Sequence, residues 1–433
     1  MGTPTTPTTP AEAASLLRLV TAGSVDDGKS TLVGRLLHDS QSLLTDQLAA
    51  VVEASQVRGL DTPDLALFTD GLRAEREQGI TIDVAYRHFA TPRRRFILAD
   101  TPGHVQYTRN MVTGASTAEV ALILVDARAG LGEQTRRHTA VAALLGVPHV
   151  VLVVNKMDLV GHAEPVFAAI TEEFTRYAAA LDVLHVDAVP VSALHGDNVV
   201  TPSTGMPWYQ GPTLLEKLET APIGADPAAR PARLPVQYVI RARTSGHREY
   251  RGYAGQLTSG RLRVGDPVTI LPAGITTTIA ALDVLGEPYD EAQAPQSVAV
   301  RLADDVDVSR GDMIAADPLP QMTRDVAATA VHLAERPLST GDKVLLKHTT
   351  RTVRAVVTDI PYSIAVDTLA RVEPTDGERG RLRMNDIGRV LLRTAEPVAM
   401  DDYRDHRDTG SFLLIDPAGG DTLTAGLHTE GPA

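Results

Sequence analysis

The sequence has 433 residues, a formal net charge of −13, and a composition that is 43% hydrophobic and 22% charged. This length exceeds one ordinary hydrophobic core, so two or three domains are expected. The absence of cysteine excludes disulfides, thiolate metal sites and cysteine nucleophiles. No apolar run is long enough to span a bilayer, and the acidic balance disfavours nucleic acid as a partner. We therefore expect a cytoplasmic protein with no membrane partner.

The chain begins with a tail rich in Thr, Pro and Ala over residues 1–14, which has little to bury and is predicted to be disordered. From about residue 15 to 195, continuous apolar runs alternate with helical spacing, as in TLVGRLLHD and QTRRHTAVAALLG, and the domain is predicted to span residues 15–222. This alternation predicts an α/β domain with a mostly parallel sheet and helices on both faces. The predicted strands are LLRLV (16–20), FILAD (96–100), ALILVD (121–126), VVLVVN (150–155) and VDAVPVSAL (186–194).

The amino-acid composition changes near residue 221, where APIGADPAARPARLP is rich in Pro, Ala and Gly and is typical of a linker. Short β-like runs punctuated by Gly and Pro follow it, and helical patterns mostly disappear. We predict two antiparallel β-barrel domains, over residues 230–320 and 323–433.

A phosphate-binding motif lies between the first predicted strand and the helix that follows. The pattern G-x-x-x-x-G-K-[ST] is matched by Gly23, Ser24, Val25, Asp26, Asp27, Gly28, Lys29 and Ser30. Its glycines let the backbone curl so that N–H groups point at phosphate oxygens, and the helix N-terminus adds a favourable dipole. Lys29 supplies a charge for the β- and γ-phosphates, and the Ser30 hydroxyl is a candidate Mg²⁺ ligand.

The strand FILAD ends in a second motif, D-x-x-G, made of Asp100, Thr101, Pro102 and Gly103. A carboxylate at the carboxyl end of a buried strand lies where ligands bind in α/β sheets. Asp100 is therefore predicted to hold Mg²⁺, directly or through water. Gly103 leaves room for its backbone N–H to meet the γ-phosphate.

Two further motifs favour guanine over adenine. The strand VVLVVN leads into Asn155, Lys156, Met157 and Asp158. The Asp158 carboxylate can accept from the ring N–H and the exocyclic amine of guanine, a pair that adenine lacks. The next strand ends in Ser192, Ala193 and Leu194, whose backbone N–H groups are predicted to meet the guanine O6. The motifs in this order predict a GTP site with Mg²⁺.

Two more residues are predicted to act in hydrolysis. Thr81, within REQGITID, is the candidate second Mg²⁺ ligand and the sensor of the γ-phosphate. His104, directly after the D-x-x-G motif, is the candidate residue that orients the attacking water.

The order of these motifs, with GITI, DTPGH and two trailing β-domains, resembles translation-factor GTPases of the elongation factor Tu and 1A type. In finer detail the chain resembles sulfate adenylyltransferase subunit 1, the GTPase subunit of bacterial ATP sulfurylase. The segments that carry this resemblance, which extends over residues 15 to about 428, are GSVDDGKSTLVGRLLHDS, ALFTDGLRAEREQGITIDVAYRHF, ADTPGHVQYTRNMVTGAS, PWYQGPTLLEKLE, YRGYAGQLTSGRLRVGD and GSFLLID.

The resemblance implies a regulatory GTPase whose small partner subunit binds ATP and sulfate and makes adenosine 5′-phosphosulfate and pyrophosphate. GTP hydrolysis would drive that unfavourable step. Carried over, Gly23 to Thr31, Asp100 to His104 and Asn155 to Asp158 would form the GTP site, with Ser30 and Thr81 on Mg²⁺. No second P-loop is found, so the adenylylsulfate kinase fused to some members is not expected within these residues.

The chain departs from the family pattern in VHLAERPLSTGDKVLLKHTT, where His332 and Leu333 stand in a region usually aromatic, and its only tryptophan is Trp208. Two alternatives stay open at this point. One is an elongation factor that delivers aminoacyl-tRNA, for which a basic surface on the barrels is expected. The other is a GTP-gated binding switch whose hydrolysis is negligible without a helper protein.

Overall fold

The structure is a computed structural model that describes residues 15–40, 65, 84–102, 108–183, 185–224, 226–241, 250–375 and 380–429. The predicted tail, residues 1–14, lies outside the described residues. The chain divides into two compact units, Met1–Gly224 and Ala225–Ala433. In the described part of the chain, none of the helices is both long enough and apolar enough to cross a membrane.

The first unit is built on a six-stranded sheet with strand order β2-β3-β1-β4-β5-β6. Every pairing is parallel except that of β2 with β3, which is antiparallel. The strands are β1 Ser15–Ala22, β2 Ala85–Ala90, β3 Arg94–Asp100, β4 Val120–Asp126, β5 His149–Asn155 and β6 Val186–Pro190. All five predicted strands are present, and β2 is an edge strand that the sequence interpretation missed.

Helices cover both faces of this sheet, as predicted. Leu19 and Leu98 belong to a buried cluster that includes residues of helices α1 and α5. The next residue of β1, Val20, points to the other face and packs near Gly114 of α2. Because successive side chains of a strand point to opposite faces, β4 and β5, which are buried along nearly their whole length, carry apolar side chains on both faces. The helices are α1 Lys29–Asp39, α2 Thr108–Ala115, α3 Glu133–Leu144, α4 Glu164–Ala179 and α5 Leu214–Thr220.

The described part of the second unit holds two large antiparallel sheets, each with its own buried apolar cluster, and two small sheets, β10 with β14 and β18 with β22. The first sheet runs β7-β16-β11-β12-β15-β9-β8, and an antiparallel bridge between Arg233 and Ser259 closes it on itself. Its strands, with the short β10, β13 and β14, are β7 Arg233–Pro235, β8 Tyr238–Arg241, β9 Arg251–Gln256, β10 Arg261–Arg263, β11 Pro267–Leu271, β12 Ile275–Val284, β13 Glu287–Tyr289, β14 Glu291–Gln293, β15 Ser297–Leu302 and β16 Met313–Ala315. β7 lies at the end of the stretch interpreted as a linker.

The second sheet closes into a six-stranded barrel, because β19 pairs with both β24 and β20 in the order β19-β24-β25-β17-β23-β20. Buried and exposed residues alternate along much of β20, as expected for a barrel wall with one wet face. The barrel strands are β17 Gln321–His332, β19 Lys343–His348, β20 Arg351–Ile364, β23 Ile387–Met400, β24 Ser411–Ile415 and β25 Thr422–His428. The short β21 Arg371–Val372 pairs with β20, and β18 Leu338–Ser339 pairs with β22 Arg381–Leu382. The fold class predicted from the sequence is confirmed.

Among the polar side chains buried in this unit, His332 and Arg233 both contact specific partners. His332 is fully buried, and its ring nitrogens lie 2.9 Å from Thr424 Oγ1 and 2.7 Å from the carbonyl oxygen of Arg336. This departure from the family pattern is therefore accommodated in the barrel interior. Arg233 of β7 donates from Nε and Nη2 to the carboxylate of Asp401, which follows β23, both at 3.0 Å. That buried ion pair joins the two sheets of the second unit.

Candidate functional site

The predicted site residues that the structure describes gather at the carboxyl edge of the six-stranded sheet. β1 lies between β3 and β4, so the strand order reverses there. In open α/β sheets this reversal opens a crevice at the carboxyl ends of the strands, where ligands bind. The phosphate loop, residues 23–28, follows β1 directly into α1.

The phosphate loop is shaped for an anion. Asp26 and Gly28 both have left-handed backbones, with φ of 66° and 88°. Gly28 is the N-cap of α1, and no side chain of the described residues caps that helix. The N–H groups of the first turn have no intrahelical partners, so they and the helix dipole can receive a phosphate.

Lys29 lies folded over its own loop. Its Nζ donates to the carbonyl oxygens of Gly23 at 3.0 Å and Ser24 at 2.7 Å. An ammonium has three donors, so one is left for a phosphate oxygen. Burial lowers the pKa of Lys29, while the charges of Asp27 and Asp100 oppose that shift. A bound polyphosphate would add negative charge beside this buried ammonium and favour its charged form.

Asp27 lies beneath the loop and is only 6% exposed. Its carboxylate accepts a hydrogen bond from the backbone N–H of Ser24. Burial raises the pKa of Asp27, and the nearby Lys29 charge works in the opposite direction. This aspartate therefore helps to fix the loop curvature.

Asp100 and Thr101 are tied to the neighbouring strand. Thr21 of β1 donates from Oγ1 to Asp100 Oδ1 at 2.8 Å, and Thr101 Oγ1 donates to the Thr21 carbonyl oxygen. Asp100 is fully buried at the end of β3, and Pro102 follows it buried as well. Ser30 lies in the first turn of α1. A carboxylate and a hydroxyl are oxygen donors, which suit Mg²⁺.

Asn155 joins the two loops that the sequence assigned to phosphate and to guanine. Its Nδ2 donates to the carbonyl oxygen of Asp27 at 2.8 Å, and its Oδ1 accepts from the backbone N–H of Ala193 at 3.0 Å. Asn155 is 2% exposed. Met157 is buried in the 3₁₀ helix Met157–Val160 and anchors this segment from behind.

The predicted base-reading groups lie on the outer side of that connection. Asp158 is partly exposed, with His195 Nε2 at 3.9 Å from its carboxylate. The N–H of Ser192 donates to the Asp197 carbonyl oxygen at 3.2 Å, and that of Ala193 is taken by Asn155. Within the described residues, only the Leu194 N–H of this tripeptide is left for a base oxygen.

Arg35 of α1 supports the same tripeptide from below. Its Nε donates to the carbonyl oxygen of Ala193 at 3.2 Å, and its Nη2 donates to that of Leu194. Fixing both carbonyls orients the intervening peptide, which carries the Leu194 N–H. The sequence interpretation did not single out Arg35, because nothing in its local pattern marks it.

Several predicted residues lie outside the described residues: Gly103, Thr81 and His104. Their assignments to the γ-phosphate, to Mg²⁺ and to the attacking water stay predictions. All other predicted site residues are described. They lie at the carboxyl ends of β3 and β5, in the segments that follow β1, β3, β5 and β6, and in the first turn of α1.

Sequence reasoning also missed Asp126 and His138. Asp126 ends β4, the strand beside β1, and it contacts Lys156. An acidic residue that ends an apolar run next to the phosphate loop was a signal available in the sequence. His138 of α3 is fully buried and accepts from the Gly23 N–H at Nδ1, which no local pattern indicates.

Comparisons with known proteins agree with this geometry. Residues 14–223 match the elongation factor Tu GTP binding domain, and residues 325–429 match the GTP-eEF1A C-terminal domain-like family. The fold and the site thus define a P-loop GTPase of the translation-factor class.

Within that class, the chain is 55% identical over 415 residues to the bifunctional enzyme CysN/CysC of Mycobacterium tuberculosis, covering 95% of this chain and 67% of that protein. It is 48% identical to sulfate adenylyltransferase subunit 1 of Aeromonas salmonicida, covering 97% of this chain and 88% of that protein. The chain belongs to the sulfate adenylyltransferase subunit 1 family, as predicted. Among solved structures, sup35 complexed with GDP has a TM-score of 0.43 at 22% identity, covering 97% of this chain and 95% of that chain, which adds nothing to the assignment.

Proposed function

We propose that the chain is the GTP-hydrolysing regulatory subunit of an ATP sulfurylase. GTP hydrolysis here would drive the formation of adenosine 5′-phosphosulfate and pyrophosphate from ATP and sulfate on a small catalytic partner subunit. The observation that carries this proposal is the 48% identity to a sulfate adenylyltransferase subunit 1 over 97% of the chain. The same relationship disfavours delivery of aminoacyl-tRNA. A cytoplasmic location is part of the proposal.

The bonds of Asn155 to Asp27 and Ala193 support GTP as the ligand of the site. One side chain sets the distance between the phosphate loop and the base-reading loop. In the proposed complex, the backbone N–H groups after Gly23 and the Lys29 ammonium hold the phosphates. Asp158 and the Leu194 N–H read the guanine edge.

Mg²⁺ is proposed to be held by Ser30, Thr81 and Asp100, together with phosphate oxygens. The oxygen donors at Ser30 and Asp100 fit this ion. When bound, it neutralises the charge that develops on the transferred phosphoryl group. The Thr21 hydroxyl holds the Asp100 carboxylate in one orientation for this role.

His104 is proposed to orient the attacking water. Because phosphoryl transfer depends mostly on positioning and charge, this residue need not be a strong base. His104→Ala should slow GTP hydrolysis by about 100-fold and change GTP affinity far less. Equal losses in the two quantities, measured by single-turnover hydrolysis and by nucleotide titration, would instead assign His104 a structural role.

The test of the whole proposal is sulfate-dependent release of pyrophosphate from ATP, with and without GTP. The tagged chain should be purified from its own host together with the protein that accompanies it. We expect release that rises with GTP and that is lost in Lys29→Ala. Lys343→Ala, an exposed lysine of β19, is the matched control and should behave as wild type.

The contrary result is equally specific. A stable partner and normal GTP hydrolysis without any sulfate-dependent release would overturn the sulfurylase proposal. Nuclease-sensitive copurification of tRNA in that case would support the elongation-factor alternative.

A further inference from the structure

Asp126 occupies a position in the site that no sequence motif assigned. It is the last residue of β4, every residue of which is buried, and it pairs in register with Asn155 of β5. The side chain is 8% exposed. A carboxylate is thus placed beside the base-reading loop, at the sheet edge that carries the phosphate loop.

The turn that follows β4 folds an arginine back onto this carboxylate. The N–H groups of Ala129 and Gly130 donate to the Asp126 carbonyl oxygen, both at 3.0 Å. Arg128 then meets the carboxylate in a two-pronged contact, Nε to Oδ1 at 3.1 Å and Nη2 to Oδ2 at 2.6 Å. Two parallel bonds of this kind fix the plane of the carboxylate.

The second partner of Asp126 is Lys156, whose Nζ lies 2.9 Å from Oδ2. The bonds from Arg128 are the main reason that the pKa of Asp126 is held well below its usual range, and Lys156 contributes in the same direction. The carboxylate is therefore charged at any physiological pH.

Lys156 is fixed at both ends. Its backbone is left-handed, with φ of 63°, and its ammonium donates to the carbonyl oxygen of Asp26 as well as contacting Asp126. A free lysine side chain samples many rotamers, and it loses this conformational freedom when specific acceptors bind its ammonium. With Asp26 in the phosphate loop and Asp126 on β4, the lysine stem is held across the site.

We infer that Asp126 is a positioning residue of the GTP site and that it acts through Lys156. Oriented by Arg128, it holds the Lys156 ammonium on the phosphate loop and the apolar stem where it can cover the guanine ring. If the salt bridge only stabilised the fold, the effect of Asp126 on nucleotide dissociation would not depend on the Lys156 ammonium. The inference rests on the proposed binding of GTP.

The experiment is a double-mutant cycle on the dissociation rate of a fluorescent GDP analogue from the full chain. Asp126→Asn keeps the shape of the side chain and removes its charge. Lys156→Met keeps the apolar stem and removes the ammonium. We expect Asp126→Asn to speed dissociation by about tenfold in wild type, and by less than about twofold in the Lys156→Met background.

Two further variants support this measurement. Arg128→Gln leaves Asp126 and Lys156 in place but removes the group that orients the carboxylate. We therefore expect the dissociation rate of the GDP analogue to rise about threefold. Because this variant alters an exposed side chain, it replaces Asp126→Asn in the measurement if Asp126→Asn folds poorly. Glu172→Gln breaks the exposed ion pair with Arg176 on α4 and should leave dissociation unchanged.

The outcomes separate the inference from the proposal beneath it. If wild type retains GDP but Asp126→Asn dissociates at the wild-type rate, the positioning role is wrong while the GTP site stands. If Asp126→Asn speeds GDP dissociation equally in the wild-type and Lys156→Met backgrounds and also lowers the melting temperature, Asp126 is a structural residue only. If wild type binds no guanine nucleotide, the proposed function fails and the inference fails with it.

Discussion

The backbone N–H of Gly23 donates a hydrogen bond to Nδ1 of His138 at 3.1 Å. Helix α3 thereby supports the first residue of the phosphate loop from inside the protein. Since Nδ1 is an acceptor, the ring must be the neutral tautomer with its proton on Nε2. Protonation of His138 would remove that acceptor and place a second positive charge near Lys29.

This arrangement predicts a pH dependence of stability. Burial lowers the pKa of His138 to about 3, with smaller contributions from the charges of Lys29 and Arg137. Below a pH of about 6.5 the unfolded chain takes up a proton at this residue that the folded chain refuses. The free energy of unfolding should therefore fall as pH falls, by about 1.4 kcal/mol per pH unit from this residue.

His138→Gln should remove that contribution. Urea unfolding of both proteins between about pH 7 and about pH 5 would show a shallower decline for the variant. Other buried histidines affect both proteins alike, so the difference between the two slopes isolates His138. If the unfolding free energy of wild type and of His138→Gln falls with the same slope as pH falls, the assignment of a neutral buried imidazole at His138 is wrong.

Gly28→Ala should weaken nucleotide binding by at least about tenfold. Its φ of 88° is left-handed, which costs about 1–2 kcal/mol with a Cβ, and that Cβ would collide with Nδ2 of Asn155. Gly130→Ala is the matched control, since its φ of 68° is also left-handed but open space surrounds it. Fluorescent GDP titration should show a large loss only at Gly28. Similar losses in both variants would point to backbone strain alone.

Asp158→Asn should shift the preference of the site from GTP toward XTP. Xanthine presents an acceptor where guanine presents its exocyclic amine, so an amide donor suits it and a carboxylate does not. Competition titration of GTP against XTP on wild type and variant measures the change. An unaltered preference would remove Asp158 from the base-reading role.

Arg233→Met should lower the free energy of unfolding by about 3–5 kcal/mol, because it leaves the Asp401 carboxylate buried without its cation. Burial alone would raise the pKa of Asp401, yet the hydrogen bonds from Arg233 and Thr409 lower it overall. Arg393→Gln breaks an exposed pair with Asp325 and should cost less than about 1 kcal/mol. If urea unfolding gives equal losses of unfolding free energy for Arg233→Met and Arg393→Gln, the buried pair adds little to stability.

Much of this architecture was readable in the sequence because its signals are local. β4 and β5 are almost entirely apolar since both of their faces are covered, and they were predicted within a few residues. β2 was missed because it is a short edge strand with little buried surface. The phosphate and guanine motifs are contiguous runs, so their chemistry and order predicted the family and the ligand class.

The sequence by itself thus determined the fold class, the motifs and the family. The tertiary structure decided which distant side chains complete the site. Gly23 and His138 are 115 residues apart, and Arg233 and Asp401 are 168 apart. Lys156 meets Asp126 only because β4 and β5 are adjacent and in register. Such pairs leave no periodicity in the chain, since their contact arises from the packing of strands and helices rather than from their spacing.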